Sequence, residues 1–161
     1  MPSPLLAEIE RYRPDLPLAK ACTPPASWYT DPRFLELELE TTFADTWQYA
    51  CRLDQVREPG QFVTLELAGE PLLVVRGNDG VLRGFFNVCR HHAAAVMTEA
   101  AGCVKRLRCP YHGWTYTLEG TLKAAPAFEG VQHFDPAANS LVPVATAAWE
   151  NWVFVRIAPE G

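Results

Sequence analysis

The chain has 161 residues, of which 48% are hydrophobic and 20% charged, and a formal net charge of −5. That length suffices for one domain with a hydrophobic core, and the composition excludes a disordered or fibrous chain. The acidic balance argues against nucleic acid or an anionic membrane as a partner; with Glu8 and Glu10 breaking the N-terminal apolar run and no later apolar stretch of bilayer length, a cytoplasmic protein is expected.

Prolines punctuate the start (Pro2, Pro4, Pro14, Pro17, Pro24, Pro25), so residues 1–46 read as an N-terminal arm, with room for a short helix around Leu6–Tyr12 and one short helix at its end. Thr30-Asp31-Pro32 marks that helix start: a capping side chain, then proline at the first helical position. Leu35, Leu39, Phe43 and Trp47 follow at a spacing of four and predict one apolar stripe. The alternation of Leu35–Glu40 also fits a strand, but the start signal and the continuing stripe favour helix.

From Trp47 onward the pattern turns to strands. Phe62–Leu67 and Pro71–Arg76 flank Ala-Gly-Glu as a hairpin, and Gly77–Gly80 is a turn into Val81–Val88. Trp114–Leu118 and Thr121-Leu122 form another hairpin, and Leu141–Thr146 and Trp152–Ile157 supply the last strands. Short strands divided by glycine turns predict an all-β domain over residues 47–161, an antiparallel sandwich or barrel.

Five cysteines, an odd number, do not make a disulfide framework. Their placement is more informative. Three of the four histidines lie in the 24 residues from Cys89 to His112, where Cys89-Arg90-His91 is followed, after seventeen residues, by Cys109-Pro110-Tyr111-His112. Each half offers one thiolate and one imidazole. Such a set fits a [2Fe–2S] cluster in which two histidines replace two cysteines on one iron. The exchange removes two negative charges and raises the reduction potential. A structural zinc ion also uses two cysteines and two histidines, but zinc fingers usually pair like with like, which this order does not. Cys103, Cys22, Cys51 and His133 read as ordinary loop, strand or core residues.

The segments Gly84-Phe-Phe-Asn-Val-Cys-Arg-His-His-Ala93 and Cys109-Pro-Tyr-His-Gly-Trp-Thr-Tyr116 closely resemble the Rieske non-haem iron oxygenases, the large subunits of aromatic-ring-hydroxylating dioxygenases and related monooxygenases. The likeness extends upstream through Trp28–Pro32, Phe43–Tyr49 and Glu58–Phe62, and downstream through Gly120–Pro126 to Trp149–Val155. It implies a Rieske fold with a small cluster-binding subdomain at about residues 87–126. It also implies that Cys89 and Cys109 bind one iron and His91 and His112 the other. Arg90, His92, Pro110, Tyr111, Gly113, Trp114 and Pro126 would surround the cluster: Gly113 lets the backbone approach it, Pro110 stiffens the second loop, Pro126 belongs to a covering loop, and Trp114 packs beneath.

Three departures sort the subclass. Respiratory Rieske proteins have further cysteines where this chain has Ala94 and Tyr111, so the inter-loop disulfide and the hydroxyl-rich setting of a high potential are expected to be missing. His92 stands where the oxygenases commonly have arginine. Only His92 and His133 remain after the four cluster positions are assigned, and His92 is locked beside a cluster ligand, so no facial set like the two-histidine, one-carboxylate iron site of the family's catalytic domain is expected from these residues. The resemblance therefore implies electron transfer into an oxygenase that hydroxylates a small organic substrate with O2. Mononuclear Fe(II) would be present only with a catalytic domain, in the same or a separate chain. A ferredoxin or flavin reductase is the expected donor, and a homo-oligomer is in keeping with the family. The alternatives are a standalone Rieske-type ferredoxin and a zinc-binding structural module. A basic set (Arg83, Arg90, Lys105, Arg106, Arg108, against Glu99) near the motif suggests a docking patch for an acidic donor.

Overall fold

In the computed structural model the chain is described over residues 4–128 and 130–157, so the first three residues of the expected arm and the last four of the expected β domain lie outside the described residues. Two compact units result, Met1–Thr42 and Phe43–Gly161.

The first unit is more helical than its prolines suggest. Its described residues carry α1 (Pro4–Ile9), α2 (Ser27–Thr30) and α3 (Pro32–Glu38); α1 overlaps the first expected helix and α3 opens at the second, while α2 was not expected. The start of α3 follows the sequence: the Asp31 side chain accepts from the Arg33 amide at 3.1 Å, and Pro32 opens the helix. The apolar stripe does not follow it. Helix α3 widens into a π turn over Leu39–Phe43, so the regular helix ends at Glu38, before the stripe is complete. Leu35 and Trp47 are exposed, and Trp47 lies beyond the helix. The buried residue is Phe34, against which Trp28 stacks at 5.7 Å with Tyr12 at the indole edge.

The second unit is the all-β domain. Seven antiparallel strands form one sheet in the order β1 (Gln48–Arg52), β10 (Trp152–Arg156), β9 (Pro143–Trp149), β4 (Leu82–Phe86), β3 (Glu70–Arg76), β2 (Gln61–Leu67), β5 (Ala101–Cys103). A smaller sheet holds β6 (Leu107–Arg108), β7 (Thr115–Tyr116) and β8 (Leu122–Ala124). The β2–β3 hairpin turns at Ala68 and Gly69, both with positive φ, the geometry of a type I′ turn.

Strand β3 explains how one sheet serves two cores. Leu73 and Val75 point to a cluster containing Phe62, Phe85, Trp114, Tyr116 and Leu118; Leu72 and Val74 point to another with Val63, Val144, Val153 and Val155. All four residues are fully buried. Burial on both faces requires an unbroken apolar run, and Pro71–Val75 supplies one. The first of these cores also contains Cys89 and Cys109, so the motif sits where the small sheet packs on the large one. No helix among the described residues is long and apolar enough to cross a membrane.

Candidate metal centre

Strand β4 runs directly into the first cysteine loop, and Asn87 closes that loop at its base. Buried to 4% exposure, it accepts from the Val96 and Met97 amides at 3.1 and 2.9 Å and donates Nδ2 to the Met97 carbonyl at 2.8 Å. Inside the loop the Cys89 amide donates to the Ala94 carbonyl at 2.8 Å, and the Ala93 amide to the Cys89 carbonyl at 3.0 Å. The second loop, between β6 and β7, repeats this pattern: Cys109 donates to Trp114 at 2.9 Å, and Gly113 to Cys109 at 3.1 Å. Ala93 (φ 57°) and Gly113 (φ 76°) hold the same left-handed position in their loops. The two loops are thus copies in backbone, each headed by a cysteine.

The side chains divide into an inner and an outer pair. Cys89 and Cys109 are 3% and 2% exposed and belong to one buried cluster. Burial, joined by the Cys89 thiol, pushes the Cys109 thiol up against the opposing pull of the Tyr111 and His112 amides, which point at its sulfur. Outward of them, the ligating atoms of His91, His92 and His112 lie within 4.8 Å of one another. His91 lies flat on Trp114 (centroids 4.8 Å apart, planes 5° apart), with the Phe128 ring edge-on at 5.5 Å. Burial lowers the His91 pKa, and the neighbouring His92 and His112 lower it further.

This arrangement fits a two-iron cluster better than a single ion. One tetrahedral ion would need both sulfurs and two imidazoles in one close group, whereas the cysteine sulfurs stand outside the histidine group. The Nδ1 atom of His91 is buried without a hydrogen-bond partner, a costly state that metal ligation relieves. Two thiols inside, two imidazoles outside and amides aimed at sulfur are the donor set of a [2Fe–2S] cluster with mixed ligation.

The remaining predicted neighbours fall around these pairs. Trp114 is buried under His91; His92, with its ring 3.9 Å from His91, is exposed, as are Arg90, Pro110, Tyr111 and Pro126. A cavity of about 620 Å³ beside Cys109 is lined by Pro110, Tyr111, His112, Gly113 and Pro126. Cys103, Cys51 and His133 are not among the residues grouped at the centre. Cys103 is exposed on β5, and burial in the second core pushes the Cys51 thiol up to about 11.

Tyr116 is the main residue that sequence reading missed. Its buried hydroxyl stands 3.3 Å from Cys89 Sγ and accepts from the Arg90 amide at 3.0 Å. This phenol, from β7, brings a side-chain hydroxyl against a cysteine of the centre. Strand alternation could have found it, since Trp114, Tyr116 and Leu118 share one buried face.

Comparison with known proteins agrees with this geometry. The Rieske [2Fe-2S] domain family matches residues 46–135. Chloroplastic choline monooxygenase of Arabidopsis thaliana is 37% identical over 149 residues, 92% of this chain and 35% of that protein. The apo form of the quaternary ammonium Rieske monooxygenase CntA matches with a TM-score of 0.81 at 32% identity, over 86% of this chain and 40% of that one. Naphthalene 1,2-dioxygenase from Rhodococcus sp. matches with a TM-score of 0.80 at 29% identity, over 85% and 32%. The chain spans about a third of the length of the curated relatives it matches. With the paired loops, the buried thiols and the outward imidazoles, these likenesses show that the chain belongs to the Rieske [2Fe–2S] domain family, in the form carried by Rieske non-haem iron oxygenases.

Proposed function

We propose that this chain is the electron-entry domain of a Rieske oxygenase, with Cys89 and Cys109 on the inner iron and His91 and His112 on the outer one. The observation that carries the reading is the two-loop site itself: buried paired thiols, clustered imidazoles and an orphaned His91 Nδ1. When bound, the cluster takes up and passes on one electron at a time. The protein's own groups do the rest. Trp114 and Phe128 fix the His91 ring, the Tyr111 and His112 amides and the Tyr116 hydroxyl stabilise charge on sulfur, and exposed His112 offers the short path to a partner.

The domain division follows from the same reading: residues 1–46 are the oxygenase lead-in and residues 47–161 the cluster domain. A likeness covering 92% of the chain, the arm included, supports an oxygenase component over a free ferredoxin, which needs only the cluster domain. Choline and carnitine monooxygenases among the relatives support a quaternary amine as the substrate class of the assembled oxygenase. The donor is a ferredoxin or flavin reductase, and catalysis belongs to an oxygenase catalytic domain with mononuclear iron, in a homo-oligomeric assembly.

Purified chain should contain iron and acid-labile sulfide in equal amounts and give a Rieske-type electron paramagnetic resonance signal on reduction. Alanine at Cys89, His91, Cys109 or His112 should each abolish the signal, while His92→Ala should keep it. Zinc without sulfide, or a signal lost with His92 and kept without His91, would overturn the assignment.

A further inference from the structure

Away from the cysteine loops, one cleft of about 500 Å³ gathers cations in a chain whose net charge is negative. It is lined by Arg52, Asp54, Arg57, Arg76, Asn151 and Trp152. The β1–β10 pairing sets Arg52 opposite Trp152, and the Leu53 amide donates to the Asn151 carbonyl at 2.9 Å, so the walls are fixed by backbone.

The three guanidinium groups are not equivalent. Arg52 is engaged by Asp54 through Nε at 3.1 Å and Nη2 at 2.6 Å. Arg76 is clamped by two neutral groups instead, the Val56 carbonyl at 2.8 Å and the Gly80 carbonyl at 2.9 Å, which fix its plane and leave its charge uncompensated. Arg57 has no hydrogen bond or ion pair among the described residues. Two uncompensated guanidinium groups on one cleft repel each other, and an anion between them converts that repulsion into charge-assisted hydrogen bonds. Trp152, 42% exposed and held edge-on by Tyr49 at 5.3 Å, adds a flat apolar wall beside the charges.

We propose that this cleft binds a phosphate monoester, with Arg57 and Arg76 on the phosphate and the Trp152 ring against an attached planar group. A phosphate carries nearly two negative charges at neutral pH, matching the two free cations, and its oxygens accept from both guanidinium planes. The site is separate from the cluster and does not depend on the electron-transfer reading.

Isothermal titration calorimetry of the cluster-loaded chain at constant ionic strength tests it with inorganic phosphate, ribose 5-phosphate, adenosine monophosphate and chloride. Adenosine monophosphate should bind, and Arg57→Ala should weaken it by about tenfold, the scale of one charge-assisted contact. Trp152→Ala should remove the preference for adenosine monophosphate over inorganic phosphate while keeping phosphate binding. Equal affinity for the three phosphates in the parent chain would overturn the part given to Trp152. Heats no larger than those of chloride, or unchanged binding in Arg57→Ala, would overturn the site. Because Arg57 is exposed and unpartnered, its loss leaves folding intact, and Arg57→Lys should restore part of the affinity.

Discussion

The Tyr116 hydroxyl accepts the Arg90 amide, so its own proton is free for the Cys89 sulfur 3.3 Å away. Burial, with the neighbouring Cys89 thiol, raises the Tyr116 pKa and keeps the phenol a donor. A donor to a cluster thiolate stabilises the reduced state more, because reduction adds negative charge. Tyr116→Phe should therefore lower the reduction potential. A difference of about 1 kcal/mol, the scale of one net hydrogen bond, corresponds to about 40 mV for one electron. Voltammetry on the loaded protein measures it, and an unchanged potential would show that the contact does not tune the cluster. Asn87 acts on geometry instead. Its carboxamide makes three buried hydrogen bonds across the loop base, and Asn87→Ala leaves the Val96 and Met97 amides unsatisfied. The expected cost is about 3 kcal/mol in chemical denaturation, with lower cluster content at equal protein. A loss below about 1 kcal/mol would mean that water replaces the carboxamide.

Within the cysteine loops, the fifth residue must take a left-handed backbone. Gly113 does so without strain, and Ala93 does so with a Cβ. A Cβ on Gly113 would also meet Arg108 Nη2 at 3.3 Å. Gly113→Ala should cost about 1–2 kcal/mol, whereas Ala93→Gly should be close to neutral, its relief of strain offset by a freer unfolded chain. Denaturant midpoints of the two variants compare the loops directly, and equal shifts would contradict their backbone equivalence. At this scale the sequence was readable where a local signal sufficed. Asp31-Pro32 began a helix, Ala68-Gly69 turned a hairpin, and two cysteine–histidine pairs announced the centre. It was silent where tertiary context decided. Strands β5 and β6 are three and two residues long and are defined by their pairing, β5 with the longer β2 and β6 with the equally short β7. The π turn after α3 leaves no trace in spacing between neighbours, and alternation puts Tyr116 on a buried face without telling that its hydroxyl reaches Cys89 of the other loop.

Across the whole molecule, charge is sorted by position. Arg83, counted in the basic set from sequence, is tied to Asp79 at 2.7 Å, and this pairing holds the Asp79 carboxyl well below its usual range; it therefore leaves the set. Arg90, Lys105, Arg106 and Arg108 form no ion pair among the described residues, and Lys123 joins Lys105 and Arg106 on one cleft. Of these cations, Arg108 lines one cleft with exposed Tyr111 and His112, the outer end of the centre, and Arg106 lines another with Arg108 and Pro110, while acids dominate the chain as a whole. A field of this kind steers an acidic donor toward the histidine end and does little for a neutral one. The rate of cluster reduction by an acidic ferredoxin should fall steeply with added salt, as screening shortens the reach of the field to about 8 Å at physiological ionic strength. Arg106→Glu should lower that rate about tenfold at low salt and leave the reduction potential unchanged, since the effect lies in encounter and not in driving force. Stopped-flow traces over a salt series separate the two. A salt-independent rate, or an Arg106→Glu rate equal to the parent's, would move donor docking to another face, and the unpaired cations around the cluster would then be only its solvated rim.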